Sequence, residues 1–242
     1  MNVIILAAGV SRRLYPLTYN QPKCLLDVGE KAIIDYQIQA LQESGLNRIV
    51  VVVGYYRERL MEYLQSQYPE VDFQFIVNHH FFETNTAYSV YLCREEFENG
   101  PFILMNADVL YPRPVMKRIV DSEHDSVLAV EVKPCGREEV KVIEGASKRI
   151  VAIGKELIQE NALGEFIGVA KFSESFSRLF AESLEKLIQA GGKADYFEAA
   201  IHRMLSKTNL YYEDVSDFPT IEIDFIEDLD KAKQLVQSDW FN

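Results

Sequence analysis

The sequence has no CxxC pair and only three cysteines, Cys24, Cys93 and Cys135. An odd and widely spaced set cannot pair completely into disulfides and is poorly spaced for zinc, so reduced thiols are expected. Positive charge is scarce too: 25 Lys and Arg stand against 37 Asp and Glu, for a net charge of -12. That average field repels polyanions and no basic patch counters it, so neither nucleic acid nor an anionic membrane is an expected partner. No run approaches the roughly 20 apolar residues that span a bilayer. The apolar opening Met1 to Val10 lacks the basic flank and small-residue cleavage site of a signal peptide, so a cytoplasmic location is expected. Repeats, low-complexity tracts and Pro/Gly/Ser-rich linkers are missing as well, and residues 1–242 are expected to form one domain.

What is present is a large apolar content, 48% of residues, enough to bury a substantial core. Apolar runs alternate with amphipathic stretches from the start. Strands are predicted at Asn2 to Leu6, Ile49 to Val53, Phe73 to Val77 and Phe102 to Met105, with helices at Ile33 to Leu41, Glu58 to Leu64, Tyr88 to Glu96 and Val115 to Val120 between or after them. Three strand candidates then follow closely, Ser126 to Val132, Val140 to Ile143 and Ile150 to Ile153, as in an antiparallel segment. Phe166 to Phe172 is a further strand, and Ser177 to Gln189, Tyr196 to Leu205 and Asp228 to Val236 are the last helices. This order predicts an α/β fold: a mixed, mostly parallel central sheet flanked by helices, with a small antiparallel insertion.

The first strand runs into Leu6-Ala7-Ala8-Gly9, small residues where backbone N–H groups could approach a ligand at the carboxyl edge of a sheet. Arg13, Thr18 and Lys23 follow, three donors that could converge on a triphosphate in an otherwise acidic chain. A tightly packed strand-to-loop crossover would also explain the Ala-Ala-Gly triplet. Neither GxxxxGK[ST] nor a three-glycine dinucleotide loop is present.

Asn106-Ala107-Asp108 ends the strand Phe102 to Met105 and sets an acid beside that loop. Ile221-Glu222-Ile223-Asp224 reads as a short alternating strand with Glu222 and Asp224 on one face, and Asp224 is the natural partner of Asp108 for Mg2+, which takes oxygen ligands. The competing explanation is a helix cap, because Asp224 and Glu227 have capping-box spacing.

The run Leu6-Ala7-Ala8-Gly9, Arg13-Leu14, Pro16-Leu17-Thr18, Pro22-Lys23 resembles the opening of the sugar-phosphate nucleotidyltransferases and their relatives. The resemblance implies a Rossmann-like nucleotide-diphospho-sugar transferase fold, backbone contacts to the nucleotide from Leu6, Ala7, Ala8 and Gly9, Arg13 and Lys23 on its phosphates, and Mg2+ as cofactor on Asp108 and Asp224. Further on, Ile34-Asp35-Tyr36-Gln37-Ile38, Val53-Gly54-Tyr55 and Thr84-Asn85-Thr86-Ala87-Tyr88-Ser89-Val90-Tyr91-Leu92 are most similar to bacterial cytidylyltransferases acting on phosphocholine, inositol phosphate and phosphonates. Asn85, Tyr88 and Ser89 are then the implied base or ribose contacts, although Asn85 or Thr86 could equally cap a helix.

Choline would call for aromatic faces around its cation. The choline enzymes place tryptophans where this chain has Glu138-Glu139-Val140 and Tyr196-Phe197-Glu198, and its one tryptophan is Trp240. Tyr196, Phe197 and Glu198 remain candidates for an amine, a polyol or a sugar phosphate. Ile153-Gly154-Lys155 resembles the Ile-Gly-Lys segment of the inositol-phosphate cytidylyltransferases, which implies Lys155 on the acceptor phosphate, an exposed surface lysine being the alternative.

The expected activity is CMP transfer from CTP to a small phosphorylated acceptor with release of pyrophosphate. Lys23, Arg13 and Asp108 are the expected catalytic residues. The alternatives are a sugar-1-phosphate transferase using UTP, GTP or dTTP, and a non-catalytic nucleotide-sensing domain. A dinucleotide-dependent oxidoreductase is disfavoured by the missing glycines. The sequence leaves the oligomeric state open, a homodimer being one option.

Overall fold

The computed structural model describes residues 1–241. The first half runs β1 (Asn2–Ala7), β2 (Asp27–Val28), β3 (Lys31–Ala32), α1 (Ile33–Glu43), β4 (Arg48–Val53), α2 (Arg57–Gln67), β5 (Asp72–Val77), α3 (Thr86–Leu92), β6 (Phe102–Asn106), β7 (Val109–Leu110) and α4 (Arg113–Asp121). The second half runs β8 (Val127–Glu131), β9 (Lys141–Glu144), β10 (Ile150–Gly154), β11 (Gly164–Phe172), α5 (Glu174–Gln189), α6 (Glu198–Met204), β12 (Tyr211–Asp214), β13 (Ile221–Glu222) and α7 (Ile226–Leu235).

Successive residues on β1 serve opposite cores, which is why its sequence is an unbroken apolar run. Val3, Ile5 and Ala7 pack with α1, α2 and α4, while Ile4, Leu6 and Ala8 pack with α3, α5 and α6. β1 pairs in parallel with β4 on one side and β6 on the other, and β4 with β5. Beyond β6 the chain reverses. The long strand β11 runs antiparallel to β6, β8 and β9, and β12 joins β8 in parallel. The result is the expected α/β fold with a parallel centre and an antiparallel flank.

A second, short ladder fixes the site. β7 follows directly on the Asp108 corner and pairs with β13, bringing Leu110 opposite Ile221 and Val109 opposite Glu222. A small core of Leu14, Leu26, Ile33, Leu110, Ile223 and Leu229 lies under this ladder and clamps α7 to the opening loop.

Element boundaries differ where local chemistry overrode periodicity. The helix expected from Tyr88 to Glu96 starts at Thr86, capped by Asn85, and gives way after Leu92 to a 3-10 turn over Arg94–Glu96. α5 begins at Glu174 because the Ser173 hydroxyl accepts from Phe176 N at 3.3 Å. β12 was not predicted: its Tyr-Tyr-Glu-Asp sequence carries no apolar run and becomes a strand through its parallel pairing with β8. Among the described residues no helix is long and apolar enough to cross a membrane.

Candidate active site

The carboxyl ends of β1 and β6 open onto a cleft of about 300 Å³, within the size range of small-molecule sites. Close approach shapes its floor. At Gly54, just past β4, an added Cβ would lie 2.7 Å from the Ala8 carbonyl oxygen, which instead accepts from Tyr55 N. On the far wall Gly168 has φ +78°, and a Cβ there would meet the Asn106 side chain at 2.6 Å, so glycine makes room for Asn106 to face the cleft.

The electrostatic centre lies where the opening loop meets the β7–β13 ladder. Lys23, 8% exposed, reaches Asp108 Oδ2 at 2.7 Å and Asp224 Oδ1 at 2.9 Å. Arg13 holds the other Asp224 oxygen at 2.7 Å. Burial alone would push the Lys23 ammonium down, but the charges of Asp108 and Asp224 outweigh it and hold its pKa above the ordinary lysine value. Burial works against the Asp224 carboxylate too; Lys23 and Arg13 prevail and its pKa is lowered. Asp224 is therefore an ion-pair residue rather than a helix cap. The cap of α7 comes from Asp228, whose carboxylate accepts from Phe225 N at 3.0 Å.

Sequence reasoning left Glu222 out of the site, although its spacing from Asp224 put both on one strand face. Asp108, Glu222 and Asp224 each present an oxygen, and the three lie within 4.8 Å of one another. Desolvation at this crowded corner and the like charges of Asp108 and Asp224 push the Glu222 pKa upward. Asp108 Oδ1 is buried with no hydrogen-bond partner. Three carboxylates facing two cations, with an unused buried oxygen and an all-oxygen donor set, fit a hard divalent cation.

Of the expected nucleotide contacts, Leu6, Ala8, Gly9, Arg13, Lys23, Asn85 and Ser89 line the cleft. Asn85 does both things proposed for it: it faces the cleft, and its Oδ1 accepts from Thr86 N at 2.8 Å. One falls elsewhere: the Tyr88 ring packs against His80 and Tyr91 with Lys193 over it, outside the cleft wall. The Ala7 side chain belongs to the core on the other sheet face, but the residue lines a small recess with Leu6, Gly9, Lys23 and Asp108, where a backbone contact was expected of it. Thr18 is fully buried, and its hydroxyl donates to Ser11 O at 3.0 Å, bracing the loop instead of offering a phosphate donor. Asn78, missed in the sequence, ties the loop above the cleft by donating to Thr84 Oγ1 and Ser89 Oγ and accepting from His80 N.

Of the residues expected to meet the acceptor, Lys155, Tyr196 and Glu198 line the cleft, with the Lys155 ammonium 4.7 Å from the centre of the Tyr196 ring. Phe197 does not. It is buried between the rings of Phe166 and Phe180, because neighbours in the stretch entering α6 point opposite ways and Tyr196 and Glu198 take the cleft side. Lys141 was also missed: its buried ammonium donates to the carbonyls of Arg137, Glu139 and Lys155, binding the two loops that carry Val140 and Lys155.

Glu198 is 3% exposed and its Oε2 has no partner. Burial pushes its pKa up from the ordinary 4.5 to about 7. Because the folded value is the higher one, the unfolded chain releases this proton first, so the contribution to stability is full below pH 4.5 and is lost as pH rises to about 7. Over that window the native protein is expected to lose about 3 kcal/mol relative to Glu198→Gln. Urea midpoints of both proteins from pH 4 to 8 check this, and parallel curves would contradict it.

A sequence profile of the family described as nucleotidyl transferase matches residues 2–139. The CTP:phosphoglutamine cytidylyltransferase of Campylobacter jejuni is 29% identical, aligned over 95% of this chain and 98% of that protein. The choline-phosphate cytidylyltransferase of Streptococcus pneumoniae is 27% identical over 99% of this chain and 100% of its own length. A solved structure of the Streptococcus pneumoniae CTP:phosphocholine cytidylyltransferase superposes with a TM-score of 0.81 at 27% identity, covering 97% of this chain and 98% of the other.

Proposed function

Because the chain belongs to the nucleotidyl transferase family and is an enzyme of that type, we propose that it transfers CMP from CTP to a small phosphorylated acceptor, releasing pyrophosphate. The observation that carries this reading is the ammonium of Lys23 between Asp108 and Asp224 at the mouth of a glycine-floored cleft. The acceptor would be a phosphocholine-like compound, a phosphonate or a polyol phosphate. The reading treats residues 1–242 as one catalytic unit acting in the cytoplasm.

In the proposed reaction an oxygen of the acceptor phosphate attacks the α-phosphorus of CTP, the α–β bridging bond breaks, and its electron pair leaves with pyrophosphate. The attacking oxygen is already ionised at neutral pH, so no general base is needed. The work of the protein is to bring anions together. Lys23 and Arg13 would offset phosphate charge, Gly9 and Ala8 would admit the nucleotide closely, and Asn85 and Ser89 would contact base or ribose. Lys155 would grip the acceptor phosphate, with Tyr196 and Glu198 facing its other end. Asp108, Asp224 and Glu222 would hold Mg2+, which supplies positive charge against the triphosphate.

Pyrophosphate release measured with CTP, UTP, GTP and dTTP, each against phosphocholine, 2-aminoethylphosphonate, inositol phosphate and glucose 1-phosphate, tests the reading. CTP is expected to be preferred, with release abolished by EDTA and restored by Mg2+. Turnover of glucose 1-phosphate with UTP or dTTP, and none with CTP, would overturn it.

A further inference from the structure

The corner that carries Asp108 is held from behind by a residue with no place in the reaction above. Gln37 lies on the buried face of α1 among Ile33, Ile34, Ile38 and Leu41, and it is 0% exposed. Its amide nitrogen donates twice, to Asn106 O and to Val109 O, both at 2.8 Å. These two carbonyls bracket Ala107 and Asp108. The remaining backbone ties of the turn run to the two neighbouring segments of the site: Ala107 N donates to Leu6 O of β1, and Asp108 O accepts from Ile223 N between Glu222 and Asp224.

Gln37 Oε1 is buried without a partner. An orphaned amide oxygen in a core costs about 1–3 kcal/mol, so the side chain is a poor choice for packing alone. What it provides is a fixed peptide on each side of Asp108, whose carboxylate must meet Glu222 and Asp224 within 4.8 Å. A side chain that orients a ligand-bearing residue commonly sets the affinity of the site.

We propose that Gln37 is a positioning residue: by clamping the Asn106 and Val109 carbonyls it aims the Asp108 carboxylate into the corner shared with Glu222 and Asp224. The proposal rests on that corner holding a divalent cation. Gln37 acts through Asp108 and touches neither substrate nor metal.

Gln37→Met keeps the length of the side chain and removes both donors. Mn2+ binding at fixed CTP, followed by electron paramagnetic resonance after subtracting the Mn2+ held by free CTP, is expected to weaken about 10- to 100-fold. Turnover at low Mg2+ falls in step and recovers as Mg2+ is raised, while CTP affinity in EDTA stays within about twofold, since the nucleotide contacts are untouched. A folded variant with wild-type Mn2+ affinity overturns the proposal, as does an equal loss of CTP affinity in EDTA, which would signify general loosening. Gln37→Asn, which keeps an amide but withdraws it, serves if the methionine variant does not fold. Failure of both to fold also counts against the proposal, because the amide would then be supporting the core. Absence of Mn2+ binding by the wild type would instead sink the metal reading itself.

Discussion

A Lys23→Met enzyme is expected to fold and to lose roughly a thousandfold in kcat/KM for CTP, about 4 kcal/mol of transition-state stabilisation. Lys23 is a buried cation within 2.9 Å of both aspartates, and without it the one ion pair left to the corner among the described residues is Arg13 to Asp224, with Lys155 acting from farther away. The same deletion leaves carboxylates short of a counter-charge. The folded protein in EDTA is expected to lose about 2 kcal/mol, less than for a fully buried pair because both aspartates keep a path to solvent. The raised pKa of Lys23 means that its stabilising charge is complete at neutral pH and is lost only on titration above the ordinary lysine range. Saturating Mg2+ is expected to restore most of the lost melting temperature and none of the lost rate. Near-wild-type turnover would remove Lys23 from the chemistry.

The second large effect separates into two opposite signs. Asp108→Asn removes one negative charge from a cleft that must accept a triphosphate, so CTP affinity measured in EDTA is expected to rise modestly. Turnover with Mg2+ is nevertheless expected to fall by roughly a thousandfold, because an amide is a weak ligand for a hard cation and Asp108 Oδ1 is the buried oxygen left free to serve as one. Calorimetry without metal and pyrophosphate release with metal give the two halves. An affinity that falls together with the rate would mean that Asp108 shapes the pocket rather than holding a cation.

Much of the site was legible because each part rests on a local pattern. An unbroken apolar strand followed by Ala-Ala-Gly announced the cleft floor, and the acid just past the strand Phe102 to Met105 announced Asp108. What failed was what depends on partners far away in the chain. Asp224 was expected beside Asp108 and lies there, but its ion pairs with Arg13 and Lys23 join residues some two hundred positions apart and leave no local mark. Gln37 shows only as a polar residue on an apolar helix face, since the carbonyls it binds belong to another element. Phe197 was expected in the site because the Tyr196-Phe197-Glu198 stretch stands where the choline enzymes carry a tryptophan, but its ring packs inward against Phe166 and Phe180, partners far away in the chain. Lys141 looked like any strand lysine, because its three partners are backbone carbonyls and leave no mark in composition.

The pairing of β7 with β13 joins segments that the ribosome makes half a chain apart. A nascent polypeptide has β1 and β6 of the cleft floor early, since both are in its first half, yet it has no acidic corner until β13 emerges. Competence therefore comes near the end of synthesis. A product that stops short of Ile221 lacks Glu222 and Asp224 and also the packing of Ile223 and Leu229 under the opening loop, so neither the corner nor the loop that faces it is held.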